Sequence, residues 1–293
     1  MTRLIRGELL KLRTTNTWWL FGLAALVMTG LALLINSLQA HYALLPFDAF
    51  LRANTGRQGD APRPDQLARL HDEWLLGHDV VGQAATIFTS GQFIGVLLVM
   101  LLGILLITNE YHHQTATTTF LGTPHRTTVV LGKLATGVVL AAFFWFFTTV
   151  LNLVVGVLFL NSEGYGSQLD HWAVVRALLL NLAAYAIWAV FGIGLGALIR
   201  SQLGATVTAT VLYLVGTVAG HLVTELIHRF WIKEDWVLTA QVAFPSIASE
   251  IMTSPTRTFD QSPAQWVGAA VLVGYGLVFG AIGTWILRSR DVS

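Results

Sequence analysis

Apolar residues along this chain gather in long, nearly uninterrupted runs. About 20 apolar residues in a row can cross the ~30 Å hydrocarbon core of a bilayer as an α-helix. The sequence has six such runs, at residues 17–38, 86–108, 128–160, 172–199, 203–226 and 264–287. The pattern therefore predicts an all-α polytopic membrane protein with six transmembrane helices.

Composition supports this prediction and excludes several kinds of chemistry. Only 11% of the 293 residues are charged, whereas a soluble domain usually carries about 25%. The chain has no cysteine, which excludes disulfides, thiolate metal sites and cysteine nucleophiles. Gly132-Lys133 and the glycines at 192, 194 and 196 lack the flanking residues of nucleotide-binding loops. We therefore expect a noncatalytic chain that binds no metal or cofactor itself.

The distribution of charge predicts the topology. With the N-terminus in the cytoplasm, the segments on the inner side carry a net charge of +6 and those on the outer side −5. Basic residues concentrate on the cytoplasmic side of membrane proteins, so both termini should be cytoplasmic. The three Lys against fourteen Arg are typical of a GC-rich bacterial genome. We expect a multi-pass protein of the bacterial cytoplasmic membrane, surrounded by lipid and not by nucleic acid.

Polar segments outside the runs divide the chain further. Residues 1–16 predict an interfacial helix, which would serve as a membrane anchor or as a docking site. Residues 39–85 form an outer loop too long for a simple turn. Residues 227–263 contain an apolar piece too short to cross a bilayer, which predicts a re-entrant outer hairpin before the sixth span. The charged residues of the interfacial helix are Arg3, Arg6, Glu8, Lys11 and Arg13.

The inner segment 109–127 joins the second and third spans. A helix that starts near Glu110 would end at Gly122, with Pro124 soon after it, which is a common way for a helix to stop. An acid near the first turn also suits the helix dipole. The segment therefore predicts a short polar helix between two membrane spans, an arrangement suited to transmitting force.

Polar residues inside the runs indicate which helix faces meet. Asn181, Thr206, Tyr213 and His221 are among them, and intramembrane polar groups usually face the interior of the bundle. Hydrogen bonding between helices is the simpler interpretation, and contact with a substrate is the alternative. His221 is the one ionisable residue deep in any run, and the missing carboxylate argues against an ion-driven carrier.

The inner segment resembles the permease subunits of bacterial ABC-2 type exporters, which have the type V ABC exporter fold. That family has an acidic residue, a Gly-Thr pair four residues later, a Pro, a Ser/Thr-Arg pair, and Gly-Lys at the base of the third span. The matching residues are Glu110, Thr115, Pro124, Arg126, Gly132 and Lys133. Gln114 and His125 depart from the pattern. The order of the predicted elements agrees over nearly the whole chain, which would form a single domain, residues 1–293.

The resemblance implies a separate cytosolic ABC ATPase, which binds ATP and Mg. Two permease chains, as a homodimer or as a heterodimer with a paralogue, would assemble with two ATPase copies. Residues 110–121 would be the coupling helix, with the interfacial helix beside it. The residues implied in coupling are Glu110, Tyr111, His112, Thr115, Thr118, Leu121, Pro124 and Arg126. The residues implied along the substrate route are Phe93, Asn181, Thr206 and Tyr213.

Two other functions remain open at the level of the sequence. One is a secondary carrier or channel, which the missing intramembrane carboxylate disfavours. The other is a membrane sensor or anchor whose outer loop, residues 39–85, binds a ligand. The resemblance does not identify a substrate, because the family exports drugs, antibiotics, peptides, ions and glycan lipids.

Overall fold

Helices account for all the regular secondary structure in the described part of the chain. The computed structural model describes residues 7, 10, 17–55, 63–112, 126–199, 201–234, 236–255 and 262–289. The α-helices, numbered along the chain, are α1 (Thr17–Ala43), α2 (Phe47–Thr55), α3 (Pro64–Gly77), α4 (Val80–Phe88), α5 (Gln92–His112), α6 (Arg126–Ser162), α7 (Trp172–Leu198), α8 (Gln202–Phe230), α9 (Trp236–Thr239), α10 (Pro245–Thr253) and α11 (Gln265–Ser289). A 3₁₀ turn, Ala240–Ala243, links α9 to α10.

The described part of the chain contains the six spans that the apolar runs predict. These spans are α1, α4 together with α5, α6, α7, α8 and α11, each long and apolar enough to cross a membrane. In hydrocarbon every backbone polar group needs an internal partner, and a helix provides those partners within one segment. The prediction of an all-helical chain with six such helices is therefore confirmed.

The second span, α4 with α5, is the most deeply buried of the six. It packs against α7, α6 and α1. By contrast, α1 and α8 expose rows of leucine and valine along most of their length, such as Leu31 and Leu34 on α1. Exposed aliphatic side chains are at no disadvantage in lipid, because the acyl chains around them are equally apolar.

Glycines bring α5 and α7 into direct backbone contact. A methyl group built on Gly103 of α5 would lie 2.5 Å from the carbonyl oxygen of Ala189. One built on Gly192 of α7 would overlap the carbonyl oxygen of Met100. A methyl group built on Gly283 of α11 would lie 2.8 Å from the Cα of Gly194 on α7. Small residues permit such close approach, which is what the glycines at 192, 194 and 196 indicate in the sequence.

The second span is longer than the sequence predicts, and it is broken. The apolar run covers 86–108, whereas helical structure begins at Val80, after Asp79 accepts a hydrogen bond from the Gly82 amide. The helix then stops at Phe88 and restarts at Gln92. Gly91 has φ +77°, a left-handed conformation that glycine adopts readily. The break separates a short segment, α4, from the longer α5.

The predicted outer loop is largely helical. It contains α2 and α3, and α1 extends into it as far as Ala43. Trp74 of α3 donates a hydrogen bond from Nε1 to the Leu45 carbonyl at 2.8 Å and packs edge-on against Phe47. The Tyr165 hydroxyl, from the turn after α6, donates to the Leu44 carbonyl at 3.2 Å. These contacts hold the segment against the ends of α1 and α6.

Two predicted elements lie mainly outside the described residues. The first is the interfacial helix 1–16, where only Gly7 and Leu10 are described, both as helical. Its charged residues Arg3, Arg6, Glu8, Lys11 and Arg13 are outside. The second is the centre of the inner segment, 113–125.

Candidate functional site

The two ends of the inner segment are joined by a buried ion pair. Lys133 Nζ lies 2.9 Å from Glu110 Oε1, and the two side chains are 4% and 9% exposed. Lys133 Nζ also donates to the Leu106 carbonyl at 3.2 Å. Glu110 lies in the last turn of α5, not in the first turn of a new helix as the sequence predicts, because α5 continues past it to His112. Lys133 lies two turns into α6. The pair therefore ties the end of one span to the start of the next.

Electrostatics explains why these two residue types occur here. The C-terminal end of a helix carries partial negative charge, so a carboxylate in the last turn of α5 is unfavourable by itself. The ammonium of Lys133 offsets both that charge and the carboxylate. A buried ion pair is tolerated only when good geometry and further hydrogen bonds compensate for the lost hydration. The 2.9 Å contact and the Leu106 carbonyl provide such compensation.

The remaining residues of the predicted coupling set lie at or beyond the limits of the described chain. Thr115, Thr118, Leu121 and Pro124 are outside the described residues. Tyr111 and His112 close α5, and Arg126 opens α6, but their side chains are outside the description. The structure thus brings together Glu110 and Lys133, which the sequence marks separately.

Two of the four residues predicted along the substrate route are in contact. The rings of Phe93 on α5 and Tyr213 on α8 have centroids 4.9 Å apart. The Tyr213 hydroxyl donates to the Phe93 carbonyl at 2.8 Å. Tyr213 is buried, whereas the Phe93 side chain is 42% exposed. This aromatic pair joins α5 to α8 and presents one ring at the surface of the chain.

The other two residues predicted along the route have different surroundings. Asn181 is buried on α7, on the face that packs against the second span. The Thr206 hydroxyl donates to the Gln202 carbonyl within α8 itself, at 2.9 Å. Within the described chain, neither residue is hydrogen-bonded to Phe93 or Tyr213. Thr206 therefore satisfies its hydroxyl locally, as threonines in helices often do.

Sequence reasoning missed a polar cluster where α10 enters the bundle. Gln92, the first residue of α5, donates from Nε2 to Ser249 Oγ at 3.1 Å. Thr253 donates to Gln92 Oε1 at 2.6 Å, and Trp188 of α7 donates from Nε1 to Ser249 Oγ at 3.2 Å. Ser249 and Thr253 lie four residues apart on α10, so they occupy one face of that helix. In the sequence, the four-residue spacing of Ser249 and Thr253 was the feature that could have indicated this cluster.

A second group of polar residues joins α8 to the segment around α10. The hydroxyls of Thr217 and Ser246 are hydrogen-bonded at 2.7 Å. His221 Nδ1 and Gln241 Oε1 are hydrogen-bonded at 2.6 Å. Glu250 lies one turn after Ser246 on α10, and His221 lies one turn after Thr217 on α8, so the carboxyl and the imidazole are on neighbouring helices. A carboxyl group is thus present beside the one histidine that the sequence identifies inside a run.

Glu250 is outside the six spans, and its surroundings change its acidity. Partial burial raises the pKa of the Glu250 carboxyl above its ordinary value, and the nearby His221 lowers this pKa in part. A raised pKa favours the neutral, protonated carboxyl. Glu250 lies two residues after the apolar piece 242–248, and this short separation was the sign of its position in the sequence.

An apolar groove runs between α1 and α6. Its volume is about 460 Å³, and Trp18, Trp19, Phe143 and Phe147 contribute aromatic rings to its lining. The residue between the two phenylalanines that faces inward, Phe144, is buried in the core. Both helices are among the six that are long and apolar enough to cross a membrane. None of the predicted route residues lines it.

Comparison with known proteins adds no assignment to these sites. The chain matches no protein-family model and no curated protein sequence.

Proposed function

We propose that this chain is the membrane-spanning permease subunit of an ATP-driven ABC exporter. In this assignment it forms the substrate pathway and couples to a separate cytosolic ATPase, which binds ATP and Mg. Two copies of the ATPase and a second permease chain complete the transporter. The six apolar helices and the residues of the inner segment support the proposal. The chain itself performs no hydrolysis.

The observation that carries the proposal is the buried pair Glu110–Lys133. These residues stand at the two ends of the segment that resembles a coupling helix, and they hold the end of α5 beside the start of α6. A lever that receives force from a partner needs both of its attachments fixed, because a loosely attached loop would absorb the displacement. In this role Glu110 braces the segment, and the residues that follow it meet the ATPase.

The proposed transport step follows from how α5 is connected. Closure of the ATPase pair displaces the inner segment, and α5 carries that displacement to Phe93 and Gln92 near its other end. The Phe93–Tyr213 contact links α5 to α8, so separation of these two helices opens a path along the exposed Phe93 ring. The Tyr213–Phe93 and Thr217–Ser246 hydrogen bonds are the contacts that such a separation exchanges for others.

The test is ATP hydrolysis by the complex purified from its native membrane. The tagged chain is extracted in mild detergent, and vanadate-sensitive ATP hydrolysis is measured on the purified material. We expect activity with the unchanged chain. Replacing residues 113–121 with a Gly-Ser stretch of equal length should reduce it to background, because the partner loses its attachment while the six spans are untouched.

A matched control replaces residues 56–62, in the predicted outer loop, with a Gly-Ser stretch. This variant should retain the ATPase activity of the unchanged chain. Both variants should elute as monodisperse protein in size-exclusion chromatography. An inner-segment variant that keeps full ATPase activity would contradict the coupling assignment, and an unchanged chain that never copurifies with ATPase activity would contradict the exporter assignment.

One observation favours a second candidate, an ion-coupled carrier. The sequence disfavours a carrier because no carboxylate lies deep in a predicted span, but Glu250 lies beside His221 on an adjacent element. Carboxyl groups paired with histidines are common components of proton relays in transporters. The raised pKa of Glu250 also favours binding of a proton.

The two candidates differ in what the chain does alone. Purified chain is reconstituted without ATPase into vesicles that contain the pH-sensitive dye pyranine, and a potassium diffusion potential is imposed. The exporter assignment predicts no proton flux above that of empty vesicles. Chain-dependent flux that disappears in Glu250→Gln, but persists in Glu225→Gln on α8, would instead establish the carrier.

A further inference from the structure

The break in the second span exposes backbone groups that neighbouring helices must satisfy. Two backbone carbonyls at the break, those of Phe88 and Ser90, accept hydrogen bonds from Asn152 Nδ2 on α6, at 3.2 and 2.9 Å. The Ser90 hydroxyl accepts a hydrogen bond from Asn36 Nδ2 on α1 at 2.8 Å. One asparagine from each flanking helix therefore stabilises the break.

Several buried oxygens near this break have no partner among the protein atoms. They belong to side chains that are at most 5% exposed, and they come from three different helices. The atoms are Thr29 Oγ1 on α1, Thr149 Oγ1 and Asn152 Oδ1 on α6, and Asn181 Oδ1 on α7. Leaving a buried polar group without a partner is unfavourable and rare, so four together call for an explanation.

Two of these oxygens are tied to the break by direct geometry, and a third by its spacing along α6. A methyl group built on Gly91 would lie 2.5 Å from Thr29 Oγ1, so this hydroxyl faces the break itself. Asn152 Oδ1 belongs to the same amide whose nitrogen binds the Phe88 and Ser90 carbonyls. Thr149 precedes Asn152 by three residues, which puts both on one face of α6.

The fourth oxygen lies at the same height on α7. Ala177, one turn before Asn181, packs with Ile87 and Phe88 in the core cluster around α4. Tyr185, one turn after Asn181, contacts Gly95 of α5. Asn181 is buried on the same face between these two contacts, so it lies level with the break between α4 and α5.

The chemistry of these atoms selects the ligand. Amide oxygens accept hydrogen bonds and do not donate them, and a threonine hydroxyl does both. All four side chains are neutral, so a bound cation would be buried without a compensating charge. A water molecule donates two hydrogen bonds, accepts two, and commonly restores the bonds that a break in a transmembrane helix removes.

We propose that the break between α4 and α5 binds ordered water. The water donates to the free amide oxygens of Asn152 and Asn181 and exchanges hydrogen bonds with the hydroxyls of Thr29 and Thr149. The second span is then hydrated where α4 meets α5, although the surroundings are apolar. This inference does not depend on which transport function the chain has.

X-ray radiolytic labelling of the full chain in nanodiscs tests the proposal, because bound water produces hydroxyl radicals in place. Phe88 is fully buried beside the break, and Phe191 on α7, with 9% exposure, packs against the rings of Trp188 and Phe279. We expect Phe88 to be labelled several-fold faster than Phe191 despite its deeper burial. Equal or slower labelling of Phe88 would overturn the proposal, and this comparison needs no variant.

The double variant Thr29→Val, Asn181→Leu removes two of the oxygens with little change in volume. If it remains monodisperse, labelling of Phe88 should fall towards that of Phe191, while labelling of the exposed Trp231 should not change. Unchanged Phe88 labelling in a folded variant would overturn the proposal. Thermal stabilisation of the unchanged chain by sodium chloride over choline chloride, lost in the variant, would assign the site to a sodium ion and also overturn it.

Discussion

Gly192→Ala is expected to destabilise the protein by about 3 kcal/mol, at the upper end of the range for overpacking. The new methyl group would overlap the Met100 carbonyl oxygen and lie 3.0 Å from the Met100 Cα. Backbone atoms cannot rotate away as a flexible side chain can, so α5 and α7 must separate. Because Gly103 makes the reciprocal contact with Ala189, the separation would disrupt both contacts. Gly192→Leu should leave no folded protein.

The matched control is Gly216→Ala on α8, where a methyl group meets nothing within 4 Å. Alanine is favoured over glycine in a helix by about 1 kcal/mol, so this change should be neutral or stabilising. The measurement is unfolding by sodium dodecyl sulfate in mixed micelles, followed by tryptophan fluorescence. Equal stability of the two variants would show that α5 and α7 are not in backbone contact.

Lys133→Met is expected to cost about 3–5 kcal/mol, the usual effect of removing one partner from a buried ion pair. Methionine preserves the length and volume of the side chain but removes the ammonium 2.9 Å from the Glu110 carboxylate. The bond to the Leu106 carbonyl is lost as well. The same unfolding measurement applies, and the ends of α5 and α6 should separate first.

The double variant Glu110→Gln, Lys133→Met distinguishes the interaction between the two side chains from the separate contribution of each. If the pair acts as a unit, the double variant should be more stable than Lys133→Met alone, because the buried carboxylate is gone. Arg176→Met, which removes an exposed cation from α7, should change stability by less than about 0.5 kcal/mol. Additive effects of the Glu110 and Lys133 changes would rule out a direct interaction.

The spans and their closest contacts were predictable from the sequence. Apolar length predicts which segments can cross a bilayer, and it predicts the six long apolar helices that the described chain contains. The glycines at 192 and 194 also indicated close helix contact, because a glycine in an apolar helix leaves room for another backbone. Neither inference requires knowledge of which helices are neighbours.

The break in the second span was not predicted, although Thr89, Ser90 and Gly91 follow one another in the sequence. Hydropathy remains high on both sides of these three residues, so a window long enough to detect a span averages over them. A break also depends on outside partners, here Asn152 and Asn36, whose proximity is a property of the bundle. The sequence therefore shows residues that permit a break, and it shows asparagines inside the apolar runs, but it does not show that Asn152 and Asn36 meet this break.

The polar sites show the same division. Glu110 and Lys133 are both visible in the sequence, but 22 other residues separate them, and nothing local indicates that they pair. In the sequence, Glu250 is one of several acidic residues in the predicted outer segments. Only the packing of α10 beside α8 places it near His221. Charges far apart in the chain become a site only through packing.

The length of α5 has a mechanical consequence. From Gln92 to Glu110 the helix rises about 27 Å, close to the thickness of the hydrocarbon core. Its unbroken hydrogen bonds make it stiff along its axis, so a shift of Glu110 reaches Gln92 with little loss. Because Gly103 and Gly192 bring the backbones of α5 and α7 into contact, α7 would move together with α5. The flexible point is the break next to Gln92. There, a movement of α5 along its axis would change the angle between α5 and α4.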